Sequence, residues 1–328
     1  MNRRQICGIL AATAMLPLSA LAAADAYPSK PIRVIVPFNA GASADVLGRV
    51  IVERLSKRLG QPIIIENKSG AGGTLGVDAV TKAPADGYTL LVTTSSPLTI
   101  NPLLDASVRY DVHRNLVPVA VLNSIGLLLV SKPDFPAKNL QELITLLKRD
   151  PNKYSFATNG NGSYSHMSME LFMKELGLKL THIPYRGAAQ AEADVIGGQV
   201  DLMFDSVATG SEFVKAGRLK AFGISTQKPD PLQPEHKPLA EVGIPQLKAF
   251  DVAAFTGMLA PAGTPPKVIE TLKDAVMEVL KDPELRASLT RRNIPLAQPA
   301  DAFTMDQLLK VDHIKWSALL RSTNIKLD

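Results

Sequence analysis

Cysteine is all but absent from this 328-residue chain, with Cys7 the single example. One thiol forms no intramolecular disulfide and no Cys-based metal site, so the fold must rest on its apolar core. Tryptophan is equally scarce, Trp316 alone, and aromatic residues make up 5% of the chain. No stretch interleaves aromatics with Lys or Arg as a single-strand nucleic-acid groove does. The formal charge of +5 is scattered rather than gathered into a run, which describes a solvated surface, so nucleic acid is set aside. Beyond residue 21 no apolar run reaches the roughly 18 residues a spanning helix needs, and the mature chain is therefore not membrane-spanning.

Signatures of catalysis are missing as well. The Gly70-x-Gly72 spacing would need a third glycine at position 75 for a dinucleotide fingerprint, and that residue is Leu75. No Gly-Lys-Ser/Thr phosphate loop occurs. Neither Ala42-Ser43-Ala44 nor Gly162-Ser163-Tyr164 makes the Gly-x-Ser-x-Gly elbow of a serine hydrolase. The histidines, His113, His166, His182, His236 and His313, show no metal-ligand spacing. The chain reads as a binding protein, with no enzyme activity, no cofactor and no metal.

What is present begins with an export signal. Arg3 and Arg4 precede an apolar run from Ile6 to Leu21, and small residues follow at Ala22-Ala23-Ala24-Asp25-Ala26. Cleavage after Ala24 or Ala26 fits this pattern and removes Cys7 with the signal. A hydrophobic content of 46% with 20% charged residues suits a globular protein, and the length suits two domains.

From Ile32 onward, short apolar strands alternate with amphipathic stretches. This implies α/β lobes, each a mostly parallel sheet flanked by helices. The opening unit, Ile32 to Leu47, is a strand, a small-residue loop and a helix starting near Ser43 or Asp45. A second Gly-rich loop, Ser69 to Gly76, opens another helix, and Ser95 follows the third strand. Around Val117 to Val130 an apolar stretch broken by Asn123-Ser124 reads as two strands, one leaving the first sheet and one entering a second. The alternation resumes with loops at Thr158 to Ser163 and at Arg186. Prolines 229, 231, 234 and 238 mark an extended segment. Two closing helices, Lys267 to Leu280 and Ala302 to Leu320, carry no new sheet, so the tail returns to cover the first domain. The expected organisation is a signal over 1–26, a first domain of 27–124 with 249–328, and a second of 125–248.

Strand-to-helix turns present backbone N–H groups backed by the helix dipole, a ready anion site. Four such turns, Phe38 to Ser43, Ser69 to Thr74, Thr158 to Ser163 and Arg186 to Ala188, two from each half, could hold a carboxylate in one cleft. Asp45, Asp205 and Arg186, each beside a strand end, read equally as capping or solvated residues and as ligand contacts. Ser163 and His166, three apart, fit a packed or capping pair better than a catalytic one.

Several segments are familiar in order along the mature chain. They are Tyr27-Pro28-Ser29-Lys30-Pro31-Ile32-Arg33, Val36-Pro37-Phe38 with Gly41 and Asp45, Gly70-Ala71-Gly72-Gly73, and Ala85-Asp86-Gly87-Tyr88-Thr89-Leu90. Further on come Ser163 with His166, Pro184-Tyr185-Arg186-Gly187, Gly197-Gly198-Gln199-Val200-Asp201-Leu202 and Ala260-Pro261-Ala262-Gly263-Thr264-Pro265. Together they resemble the Bug-type receptors of tripartite tricarboxylate transporters.

The resemblance implies a monomeric periplasmic Venus flytrap that binds a small organic carboxylate between its lobes. It would present that ligand to the inner-membrane permease subunits of a tripartite tricarboxylate transporter. A sensor subunit with the same fold, and more remotely a secreted hydrolase, are the alternatives. By the resemblance, one ligand carboxylate rests on Phe38, Asn39, Gly41, Ala42 and Ser43 with Ser69, Gly70, Ala71, Gly72 and Gly73. Thr158, Asn159, Ser163, His166, Arg186 and Asp205 face its other end. The family often carries Pro-Pro-Gly-Gly where this chain has Asn39-Ala40-Gly41-Ala42, and Asn39 adds a side-chain donor and acceptor there.

Overall fold

The computed structural model describes residues 27–302, 304–323 and 325; the export signal lies outside them. In chain order the first elements are β1 (Ile32–Val36), α1 (Ser43–Leu59), β2 (Ile63–Asn67), α2 (Thr74–Thr81) and β3 (Thr89–Thr94). Three short helices follow, α3 (Ser96–Thr99), α4 (Asn101–Leu104) and α5 (Val112–Asn115), and then β4 (Leu116–Ser131). Beyond it lie α6 (Leu140–Arg149), β5 (Ser155–Thr158), α7 (Tyr164–Leu176), β6 (Thr181–Pro184) and α8 (Ala188–Ile196). Next are β7 (Leu202–Ser206), α9 (Val207–Lys215), β8 (Lys220–Ile224) and β9 (Ala253–Pro261). The chain closes with α10 (Pro266–Lys281), α11 (Pro283–Thr290) and α12 (Met305–Ser322).

The strands line up as β2-β1-β3-β9-β4-β7-β5-β6, with β8 also on β4. The outer strands of each half are parallel, β1 to β2 and β3, and β5 to β6 and β7. The strands that join the halves run antiparallel: β9 to β3 and β4, and β4 to β7 and β8. Strand β1 is buried on both faces apart from Arg33, as a strand covered by helices on both sides must be. Helix α1 lays Leu47, Ile51 and Leu55 against it, and α10 adds Leu272, Val276 and Leu280 to the same core. The second half packs Phe156, Phe172 and Phe204 beneath α6 and α7, while α8 and α9 cover the opposite face with Ala191, Val195 and Val207. This is a two-lobed α/β binding-protein fold.

Three expectations are corrected. The apolar stretch around Asn123 is one continuous strand, not two: Leu116 to Gly126 of β4 pair with β9, and Leu127 to Ser131 pair with β7 and β8. Buried Asn123 does not break it because its Oδ1 accepts the Thr256 N–H at 3.0 Å, inside the ladder. Register shifts at 118–120 and 121–123 absorb the change of direction. The tail holds a further helix, α11, started by Asp282, whose carboxylate accepts the Glu284 and Leu285 N–H groups. Helix α12 does not stay on the first half: Met305 and Leu309 join first-lobe residues, but Trp316 and Leu319 are buried in the second-lobe core.

Candidate functional site

Every helix of eight residues or more that follows a parallel strand starts at the same edge of its sheet. Helices α1, α2, α8 and α9 begin at Ala42, Gly73, Gly187 and Ser206 with no side chain bonded to the first-turn N–H groups. The starts of α1, α8 and α9 keep unsatisfied donors and the positive end of the dipole, while at α2 the Thr74 N–H donates to the Ala71 carbonyl of the turn before it. Helix α7 is the exception, since the Ser163 hydroxyl accepts the His166 N–H at 3.3 Å.

In the first lobe the loop before α1 is held from below. Asp45 is 1% exposed, and its carboxylate accepts from Gly41 N–H at 2.8 Å, Arg49 Nε at 2.9 Å and Asn67 Nδ2 at 2.8 Å. Asn67 also donates to the Phe38 carbonyl at 3.0 Å. The hydrogen bond from Arg49, with help from Gly41 and Asn67, lowers the Asp45 pKa to about 2. Its oxygens are committed within the chain, so Asp45 shapes the loop while Asn39, Gly41 and Ser43 stay exposed at its tip. The next loop has four successive residues at positive φ, Gly70, Ala71, Gly72 and Gly73. Glycine allows that path, and Ala71 at φ 47° is the strained member. A Cβ on Gly73 would lie 2.7 Å from Pro97 Cγ and 3.2 Å from Phe38 Cζ, so the two loops and α3 meet there. Ser69, Ala71 and Gly72 are exposed. Ser95 is fully buried, its hydroxyl accepting the Phe255 N–H at 3.2 Å, and it acts inside the fold.

In the second lobe the loops at 158–163 and 185–187 are tied together by the Tyr185 N–H donating to the Thr158 carbonyl at 3.0 Å. Thr158 is buried with its hydroxyl 2.7 Å from His182 Nε2. His166 is buried too: its Nδ1 accepts the Gly162 N–H at 3.2 Å, and its ring stacks on His182 at 4.1 Å. Nε2 lies 3.5 Å from Glu170. Burial, with the neighbouring His166, pushes the His182 pKa down to about 4. Ser163 donates to the Gly160 carbonyl at 2.7 Å. Asp205 is 1% exposed; Oδ1 accepts the Ser206 N–H at 2.7 Å, and its side chain shares a hydrogen bond with the Glu192 carboxyl. Burial first and the adjacent Glu192 second raise its pKa well above the carboxylate range, favouring the protonated form. Asn159 and Arg186 are exposed, and Arg186 forms no ion pair among the described residues.

The predicted residues thus divide by burial. Asn39, Gly41, Ser43, Ser69, Ala71, Gly72, Asn159 and Arg186 are exposed, with Phe38, Ala42, Gly70 and Ser163 half-buried beside them. Asp45, Gly73, Ser95, Thr158, His166 and Asp205 are buried. Sequence reasoning missed the residues that hold these loops, Asn67, Thr99, Asn101, Tyr164 and Asp312. Tyr164 donates to Asp312 across 148 residues, and no local motif marks such a pair. A cavity of about 570 Å³ lies elsewhere, lined by Ser124, Gly126, Thr226, Leu232, Leu296 and Leu308 among others, and no predicted site residue borders it. Among the described residues no group of three His, Cys, Asp or Glu could hold a metal, and no helix is long and apolar enough to cross a membrane.

Comparison with known proteins agrees with this architecture. Residues 47–325 match the model of the tripartite tricarboxylate transporter family receptor. The chain is 35% identical to protein BugT of Bordetella pertussis over 327 residues, covering 98% of this chain and 97% of that one. The structure of MatC from Rhodopseudomonas palustris with bound malate is 31% identical, with a TM-score of 0.76 over 90% of this chain and 100% of MatC. A second R. palustris structure, with adipate, is 28% identical, with a TM-score of 0.77 over 92% of this chain and 99% of its own. This chain belongs to the tripartite tricarboxylate transporter family of Bug-type periplasmic solute-binding receptors.

Proposed function

We propose that the protein captures a small organic carboxylate between its lobes and delivers it to the inner-membrane permease of a tripartite tricarboxylate-type transporter. On this reading the lobes are 27–124 with 249–328, and 125–248, with α12 reaching from the first onto the second. The observation that carries it is the set of uncapped helix starts at one edge of each sheet, with small exposed residues at Gly41, Ser43, Ala71 and Gly72. Backbone donors of this kind hold a carboxylate without a charged side chain, and lobe closure strengthens each bond by excluding water. On this reading Arg186, exposed and without an ion pair among the described residues, takes a second carboxylate. The malate and adipate in the two R. palustris structures support a diacid.

The test is a thermal-shift screen of mature, ligand-free protein against aliphatic, amino and aromatic acids. A ligand at about a hundred times its Kd adds roughly 2.7 kcal/mol, which moves Tm by several degrees. A shift confined to one class of acid names the substrate class; no shift with any acid, from folded protein, overturns the proposal.

A further inference from the structure

We propose that α3 and α4 form a bracket that positions both ligand loops at once, Asn101 setting the Gly70–Gly73 loop and Tyr164 setting the Asn159–Ser163 loop. The bracket stands on geometry alone; only the ligand it serves rests on the function proposed above.

Asn101 Nδ2 donates to the Gly72 carbonyl at 3.1 Å and to Thr74 Oγ1 at 3.3 Å. It thereby grips the loop from both sides of Gly73, whose α-carbon faces Pro97 of α3. Helix α3 is itself fixed. The Ser95 N–H donates to the Phe255 carbonyl at 2.8 Å, and Tyr110 Oη donates to the Pro97 carbonyl at 2.7 Å. From this fixed pair the Thr99 hydroxyl lies 3.2 Å from the Tyr164 phenol of the other lobe. The phenol's proton goes to Asp312, so Thr99 is the donor in this contact and shares its proton with the Ser95 carbonyl at 3.1 Å.

Tyr164 is the first residue of α7, directly after Ser163, so its ring and that loop move together. The phenol donates to Asp312 of α12, and its ring meets Trp316 edge-on at 5.6 Å. Lys315 Nζ holds the other Asp312 oxygen at 3.3 Å and the Asp251 carbonyl at 2.7 Å. Both Tyr164 and Thr99 are buried, so water does not replace a lost contact without a cost. Displacement of either loop is therefore felt by the other through Gly72, Asn101, Thr99 and Tyr164. Arg186 is exposed on the loop before α8, which the Tyr185 N–H ties to the Thr158 carbonyl at 3.0 Å, so its backbone follows the Asn159–Ser163 loop.

The experiment is hydrogen exchange read by mass spectrometry on the mature, ligand-free chain, in wild type, Tyr164→Phe, Thr99→Val and Asn101→Ala. Tyr164→Phe should speed exchange about tenfold in 70–74 as well as in 159–166, and Asn101→Ala should do the same in reverse. Thr99→Val, which leaves the Tyr164 to Asp312 bond intact, should loosen both segments. Exchange that changes only in the loop next to each substitution, in protein that still melts cooperatively, overturns the bracket. Calorimetry with malate and with adipate then reads the consequence, about tenfold weaker binding in Tyr164→Phe than in wild type. Coupled exchange across the variants, with a wild type that binds neither acid, supports the bracket and counts against the diacid reading instead.

Discussion

Asp45, His182 and Arg186 illustrate how burial decides what a polar residue does. Asp45 is ionised and satisfied from three directions, and its folded pKa of about 2 lies below the ordinary 3.8. Its contribution is present above about pH 4 and is lost as the pH falls toward 2, worth roughly 2 kcal/mol. Asp45→Asn should remove that acid limb from urea-unfolding stability, while the melt at pH 7 drops by a few degrees. His182 has the same sign by a different cause. Its folded pKa of about 4 lies below the ordinary 6.5 because burial disfavours the cation. The folded state binds fewer protons there, so stability is full above about pH 6.5 and declines toward pH 4. Melting curves of His182→Gln should be flatter than wild type across that window; an identical slope would assign the decline to another group. Arg186 is the opposite case, exposed and without a carboxylate partner among the described residues. Arg186→Ala should weaken a diacid by about five- to tenfold and a matched monoacid hardly at all. Equal losses for both in calorimetry would remove Arg186 from the ligand's far end.

Loops and strands show which parts of each element are committed to the fold. Strand β1 and helix α1 follow directly from an apolar run and a small-residue turn, and the structure adds the grip of Asp45 and Asn67 beneath the turn. The Gly70–Gly73 loop is constrained twice, by positive φ throughout and by Pro97 against Gly73. Gly73→Ala must displace Pro97 or the loop and should cost about 1 to 3 kcal/mol, read as a lower urea midpoint with an unchanged m-value. Strand β4 was legible as apolar sequence but not as one element. Its polar break at Asn123 looks like a loop until the Thr256 N–H is found to satisfy it.

At the scale of the molecule, β4 and β9 run through the junction and α12 lies across it. The two lobes are thus joined by strands that tolerate twist and by a helix buried at both ends. Such a junction allows a rotation about the strands more readily than a separation. Saturating ligand should therefore lower the radius of gyration in small-angle scattering while secondary structure stays constant by circular dichroism. A radius unchanged by a bound acid would oppose closure.

By itself the sequence determined the α/β alternation, the loops with small residues and the resemblance to the receptor family. All three are local: apolar periodicity, glycine at turns and contiguous motifs are written in neighbouring residues. It also named the small-residue loops whose exposed members are Asn39, Gly41, Ser43, Ala71 and Gly72. Only the tertiary structure decided that Asp45, Ser95, His166 and Asp205 are buried parts of the fold, because burial depends on what packs above a residue. It alone brought Thr99 to Tyr164 and Tyr164 to Asp312, and carried α12 across both lobes. Those contacts join residues 65 and 148 positions apart, and at such separations chain packing, not local propensity, selects the partner.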